Sequence, residues 1–294
     1  MRKKNDFEKY KGKVQIVVGL MGPKGCGKDA LANYAKDKLN ASDKIVTASF
    51  LKATCAKIFG LELDWFYDNK EKDFLRPIVF TAPLIKRFLH EMRAAVSDKV
   101  LSLKDFNPYT IPIQDHVGRV FKTPRQMLQY IGTDFVHSIC RSFHCMVVYE
   151  SFKDKPGVFL ITDLRFKMES DYATQCFKFF YPVRIVGRNE VKNGQEEHKS
   201  ESEWKSIQPF ATIDNSAKLD DFYKNSIKVF DEIKKDVEEK LSIMSESQIN
   251  EMFNASPIGK ANDQSQDNEN VVKVGRFKFA HPSVANQHIV RDME

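Results

Sequence analysis

Residues 14–39 read VQIVVGLMGPKGCGKDALANYAKDKL, an apolar run, then three closely spaced glycines followed by a lysine, then apolar residues at helical spacing. The run at 14–20 is rich in Val and Ile and suits a strand buried on both faces of a parallel sheet. Leu31, Tyr34, Ala35 and Leu39 mark the inner side of a helix. Strand, glycine-rich turn and helix in that order commit the chain to an α/β fold whose sheet is covered by helices. The turn also carries chemistry. Gly22, Gly25 and Gly27 let the backbone bend so that successive N–H groups point inward, and the helix starting near Lys28 adds its positive end. Such a cradle suits phosphate oxygens, with Lys28 reaching the β- and γ-phosphates and Lys24 supplying a second charge from within the loop.

Asp29 stands where this loop ordinarily has Ser or Thr. A carboxylate about 4 Å from a phosphate oxygen costs roughly 1 kcal/mol in water and about 4 kcal/mol at a partly shielded site. It belongs there if a cation intervenes, which implies magnesium held by Asp29 directly or through water. Capping of the helix that begins at this point is the competing role, and the two are compatible.

Further strands are predicted at 44–50 (KIVTASF), 157–166 (GVFLITDLRF), 182–188 (PVRIVGR) and 210–215 (FATIDN). Helices are predicted at 52–60, stopped by Gly60, at 82–96, and as a pair within 123–152 joined near Gly132. Thr123 is the expected N-cap there, with Pro124 in the first turn. Two more are expected at 167–180 and 219–241. Strands alternating with helices predict a three-layer fold with a parallel sheet of about five strands. The domain reading is a basic arm over 1–13, one domain over 14–241 with a lid-like insertion at about 61–122, and a polar tail over 242–294. Residues 189–204 read as a charged loop.

With 294 residues, 42% of them hydrophobic and 12% aromatic, the chain can bury a sizeable core. Its net charge of +6 is modest and concentrated at the start, so no stable nucleic-acid binding is expected. Five cysteines without a CxxC pair argue against a disulfide framework and a zinc site and fit a reducing compartment. No apolar run reaches the roughly 18 residues needed to span a bilayer, so a cytoplasmic protein is expected.

Two more clusters fall where ligands bind in such sheets. Asp163, Arg165 and Glu169 follow a strongly apolar strand, and the carboxyl ends of parallel strands face the ligand crevice. Arg165 can hold a phosphate through its planar fork, and Asp163 can position magnesium water or orient an acceptor. Arg125 and Gln129 lie four apart on one helical side. An arginine for a phosphate and an amide for a base edge would explain that pairing, as would plain solvent exposure.

Together, GPKGCGKD, ASFLK (48–52), PRQMLQYIGTD (124–134), ITDLRFKMESD (161–171), HKSE (198–201) and ATIDNSAKLDDF (211–222) resemble the deoxynucleoside monophosphate kinases of tailed bacteriophages. The resemblance covers about residues 14–241. It implies a P-loop kinase fold and transfer of the γ-phosphoryl group of ATP to a deoxynucleoside 5′-monophosphate, in an infected host cell's cytoplasm if phage-encoded. It implies that Gly22, Lys24, Gly25, Gly27, Lys28, Asp29 and Ala30 hold ATP with its magnesium. Lys52, Arg125, Gln129, Gly132, Thr133, Asp163, Arg165 and Glu169 would hold the acceptor, with Lys28, Asp29, Asp163 and Arg165 as the catalytic set. Arg141 and Arg188 are further lid candidates, and a homodimer is left open. Phe50 replaces a usual proline, Ala30 a common threonine, and Cys145 a usual aromatic contact, which puts base preference in question more than the reaction. Another small-molecule P-loop kinase, or a nucleotide-binding switch with a partner-binding tail, are the rival functions.

Overall fold

The computed structural model describes residues 14–95, 113–152, 155–187, 202–245 and 247–248. The first apolar run becomes β1 (Gln15–Met21), the middle strand of five. Its side chains alternate between two cores: Ile16, Val18 and Leu20 face one, Val17 and Met21 the other. That is why the run carries no polar side to solvent.

After β1 come α1 (Lys28–Leu39), β2 (Asp43–Ile45), α2 (Ser49–Phe59), α3 (Asn69–Asp73), β3 (Ile78–Phe80) and α4 (Ala82–Ala95). They are followed by β4 (Arg119–Phe121), α5 (Pro124–Gln129), α6 (Val136–Ile139), α7 (Phe143–Glu150), β5 (Gly157–Ile161) and α8 (Lys167–Cys176). The chain then forms β6 (Phe179–Val186), β7 (Ala211–Asp214) and α9 (Leu219–Ser242). The main sheet has the order β2-β5-β1-β6-β7, with every neighbouring pair parallel. Helices α1 and α9 pack on one face, where Tyr34 and Tyr223 stack at 4.1 Å. Helices α7 and α8 cover the other. A third core of Phe50, Phe66, Phe80, Phe88, Phe135 and neighbours joins α2, α4 and α5 to the antiparallel pair β3–β4.

Several sequence expectations need correction: the strand expected over 157–166 ends at Ile161, and the one expected from Pro182 already begins at Phe179. The strand expected over 44–50 stops at Ile45, because the N–H groups of Thr47 and Ala48 turn to Asp163 and helix α2 begins at Ser49. The chain is not broken at Gly132: α5 passes through a π-helical turn (Tyr130–Phe135) into α6, and the break falls at Cys140. The helix expected through Phe180 ends at Cys176, since Phe179 and Phe180 already pair with β1. Thr123 does accept from the N–H of Gln126 ahead of Pro124, and Gly60 ends α2 in the left-handed region at φ 65°. The basic arm, residues 96–112, Arg188, most of the charged loop and the tail beyond 248 lie outside the described residues.

Candidate active site

The glycine-rich loop closes tightly over the carboxyl end of β1. Gly22 sits at φ +145° with β6 directly behind it, so a Cβ would run into the carbonyl oxygen of Ile185. Gly27 sits at φ +110°, where a Cβ would come 2.7 Å from Nδ2 of Asn215, which donates to the carbonyl of Cys26 at 2.7 Å. Positive φ and close approach both require glycine at these positions. The side chain of Lys28 folds back over the loop, its Nζ donating to the carbonyls of Gly22 (2.7 Å) and Pro23 (2.8 Å).

Helix α1 is capped by Gly27 without any side-chain hydrogen bond, so Asp29 is a first-turn residue and not the cap. Its exposed carboxylate pairs with Lys44 Nζ of β2 at 3.2 Å. A cation therefore does compensate Asp29 in the protein itself, and it comes from a neighbouring strand. Among the described residues no group of three or more His, Cys, Asp or Glu side chains could hold a metal ion. Magnesium does not need such a group, because it is commonly bound by one or two carboxylates with substrate phosphates and water. An exposed carboxylate one residue beyond Lys28 fits that donor set.

Asp163 lies two residues past β5 and uses both oxygens: Oδ1 accepts from the N–H of Thr47 (2.7 Å) and Oδ2 from that of Ala48 (3.0 Å). It thus fixes the start of α2, which one turn on carries Lys52. The Lys52 ammonium sits 4.1 Å from the centre of the Tyr67 ring. Burial lowers its pKa to about 8, with Lys72 and Arg165 pushing the same way and Asp163 and Asp29 opposing. Glu169, at the head of α8, is buried and accepts from the backbone N–H groups of Arg165 (2.7 Å) and Phe166 (3.0 Å). Burial, with the charge of Asp163 beside it, raises its carboxyl pKa to about 8.

Arg125 of α5 forms a two-point ion pair with Asp73 of α3, Nε to Oδ1 at 2.5 Å and a terminal nitrogen to Oδ2 at 3.1 Å. The guanidinium lowers the Asp73 pKa. Burial lowers the pKa of Lys72, next to Asp73, and the charges of Arg125 and Arg165 push the same way. Asp163 and Arg165 follow β5, the parallel neighbour of β1, so they and the glycine-rich loop leave the same carboxyl edge of the sheet.

Other expected site residues lie differently. Gly132 is buried, and a Cβ there would meet Leu51 at 2.6 Å, so it serves close helix packing. Gln129, Thr133 and Ala30 are half-buried, and Arg141 is exposed between α6 and α7. Cys145 is buried in the core shared with Tyr149. Lys44, Tyr67 and Asp73 join the site residues only through folding; Asp73 sits in the run DNKEKDFLR, where no spacing separates a site residue from a solvated one.

Parallel sheet, loop and lysine together make this a P-loop kinase fold. The chain is similar to viral deoxynucleoside monophosphate kinases, as its motifs suggested. It is 24% identical over 230 residues, 74% of this chain and 96% of the relative, to an Acanthamoeba polyphaga mimivirus protein named "Putative deoxynucleotide monophosphate kinase". It is also 24% identical over 214 residues, 64% of this chain and 85% of the relative, to the deoxynucleoside-5′-monophosphate kinase of Escherichia phage T5. No protein-family model matches the chain.

Proposed function

We propose that the protein is a deoxynucleoside monophosphate kinase, which moves the γ-phosphoryl group of ATP onto the 5′-phosphate of a deoxynucleoside monophosphate. The supporting observation is that the glycine-rich loop with Lys24 and Lys28 leaves the carboxyl end of β1, while Asp163 and Arg165 leave that of its parallel neighbour β5. One phosphate-bearing ligand would engage the loop, and a second would need the arginines.

In this proposal the loop amides and Lys28 hold the triphosphate, while Arg125, Arg165 and Lys52 hold the acceptor phosphate. Asp163 and Glu169 act behind them, the first fixing the start of α2 and the second the backbone of Arg165. The acceptor oxygen forms the new P–O bond as the bond to the β,γ-bridging oxygen breaks, and ADP leaves. That oxygen is already anionic at neutral pH, so no general base is required and positioning and positive charge carry the catalysis. Magnesium, when bound near Asp29, would neutralise charge on the transferring phosphates. Gln129 and Thr133 are proposed to face the nucleoside.

ATP and the monophosphate are the proposed partners, without nucleic acid or membrane, in the cytoplasm; a homodimer is compatible with this function. Among the described residues no helix is long and apolar enough to cross a membrane. Residues 14–241 are the proposed catalytic unit, with 61–122 as an insertion, 1–13 as an arm and 242–294 as a tail. An ADP-release screen of all deoxynucleoside monophosphates beside coenzyme precursors tests the proposal. Release dependent on a deoxynucleoside monophosphate is expected; release with a coenzyme precursor alone would redirect it to another P-loop kinase.

A further inference from the structure

The glycine-rich loop is tied to a part of the chain far from it in sequence. Asn215, one residue past β7, donates from Nδ2 to the carbonyl of Cys26 at 2.7 Å. It is only 3% exposed, and its own N–H donates to the carbonyl of Val186 at the end of β6 (2.9 Å). The turn that carries it is closed by Asp214, whose carboxylate accepts from the N–H and the hydroxyl of Ser216, each at 2.8 Å. Gly187, at φ +96°, leaves room for that carboxylate, since a Cβ there would run into Oδ1 of Asp214. The Asn215 side chain thus reaches the loop from a braced turn.

What this bond fixes is a direction. A peptide is planar, and in a trans peptide the C=O and the N–H point opposite ways. No described peptide bond is cis, so by drawing the Cys26 carbonyl toward β7, Asn215 turns the Gly27 N–H away from it. Among the described residues that N–H has no hydrogen-bond partner, and it stands immediately ahead of α1. Any packing contact would hold β7 against the loop, whereas a bond to this one carbonyl also sets where one loop amide points.

We propose that Asn215 is a positioning residue for phosphate binding: it sets the direction of the Gly27 N–H, which donates to an oxygen of the donor's phosphate chain. This rests on the loop taking ATP in the function proposed above. Without Asn215 the Cys26–Gly27 peptide can turn about its flanking bonds, since glycine tolerates either orientation. The amide is then no longer aimed before the ligand arrives, and that preorganisation is lost. The effect should fall on the donor phosphates and spare the acceptor.

Cys26–Gly27 is the one Cys-Gly pair in the sequence, so isotopic labelling of cysteine at its carbonyl carbon and of glycine at its nitrogen yields a single correlated NMR signal, from this peptide. The test compares the full-length parent with Asn215→Leu, which keeps a side chain branched at the same atom and removes the donor, and with Asn215→Ala. All measurements are made well below each protein's thermal midpoint, so that lost stability does not enter. On addition of inorganic tripolyphosphate the Gly27 amide proton of the parent should move downfield, and in both variants that movement should be largely lost. Calorimetry should show tripolyphosphate binding about tenfold weaker in the variants, as for loss of one hydrogen bond to a charged group. The kcat/KM for ATP should fall at least tenfold, while the KM for the monophosphate changes by less than about threefold. A parent Gly27 signal that ignores tripolyphosphate overturns the assignment even if neither variant folds. Unchanged tripolyphosphate affinity in a folded variant, or an equal rise in both KM values, overturns it as well. If the signal and the affinity depend on Asn215 but no deoxynucleoside monophosphate is phosphorylated, the assignment of Asn215 stands and the kinase function falls.

Discussion

Lys44 Nζ lies 3.2 Å from Oδ1 of Asp29, joining the end of β2 to the first turn of α1. Asp29 is mostly exposed, and the cap position belongs to Gly27, so replacing the carboxylate by an amide removes charge without removing a cap. If Asp29 helps hold magnesium, Asp29→Asn should weaken ATP about tenfold with magnesium present and much less with a chelator, since a repulsion is lost in the second case. Calorimetric titration under both conditions distinguishes the roles. Identical curves for parent and variant would leave Asp29 only as the partner of Lys44.

Lys28 is half-buried, and its ammonium bonds to the loop carbonyls of Gly22 and Pro23. Lys28→Ala should therefore lower kcat on the order of a hundredfold, as for loss of a preorganised electrostatic contact, with unchanged circular dichroism. Near-parent turnover would remove the loop from the active site.

The Lys52 ammonium, with its pKa lowered to about 8 by burial, should give a pH dependence. A lysine must be protonated to attract phosphate, so kcat/KM for the monophosphate should fall as pH rises through about 8. A bound phosphate favours the charged form, which moves the same limb of kcat to higher pH. Lys52→Arg should abolish the limb in this range. The sign for stability is opposite: unfolded Lys52 keeps its proton to about 10.5, so its contribution to stability rises with pH between about 8 and 10.5.

Glu169 holds two backbone N–H groups in a buried place. Glu169→Ala orphans both and should cost about 2–3 kcal/mol in urea unfolding, while Glu169→Gln, which keeps an acceptor, should cost less. With its pKa raised from 4.5 to about 8, folded Glu169 retains a proton that the unfolded chain has lost. The parent should thus lose stability relative to Glu169→Gln as pH rises from about 4.5 to 8. A constant difference across that range would mean that Glu169 is ionised throughout.

The parts of the fold most legible in the sequence were those with strong local rules. Buried β1, the loop glycines, Thr123 before Pro124, and the amphipathic helix α9 each follow from their own residues. The failures share one cause, which is a distant partner overriding local propensity. Thr47 to Phe50 look like a strand, but Asp163, more than a hundred residues later, draws two of their N–H groups into a helix start. Gly132 looks like a helix end until Leu51 fills the space that a side chain would need. Lys24, Lys28, Arg125 and Arg165 stand out by motif, whereas Lys44 meets Asp29 only because β2 folds in beside β5, which spacing cannot reveal.

The proposed reaction is transfer of a phosphoryl group between two nucleotides. ATP labelled at its γ-phosphate, incubated with magnesium and each deoxynucleoside monophosphate in turn, tests it directly once the products are separated by chromatography. Label is expected in a deoxynucleoside diphosphate, together with unlabelled ADP, and that transfer should be lost in Lys28→Ala. Label appearing only as inorganic phosphate, at the same rate with and without every monophosphate, would contradict it.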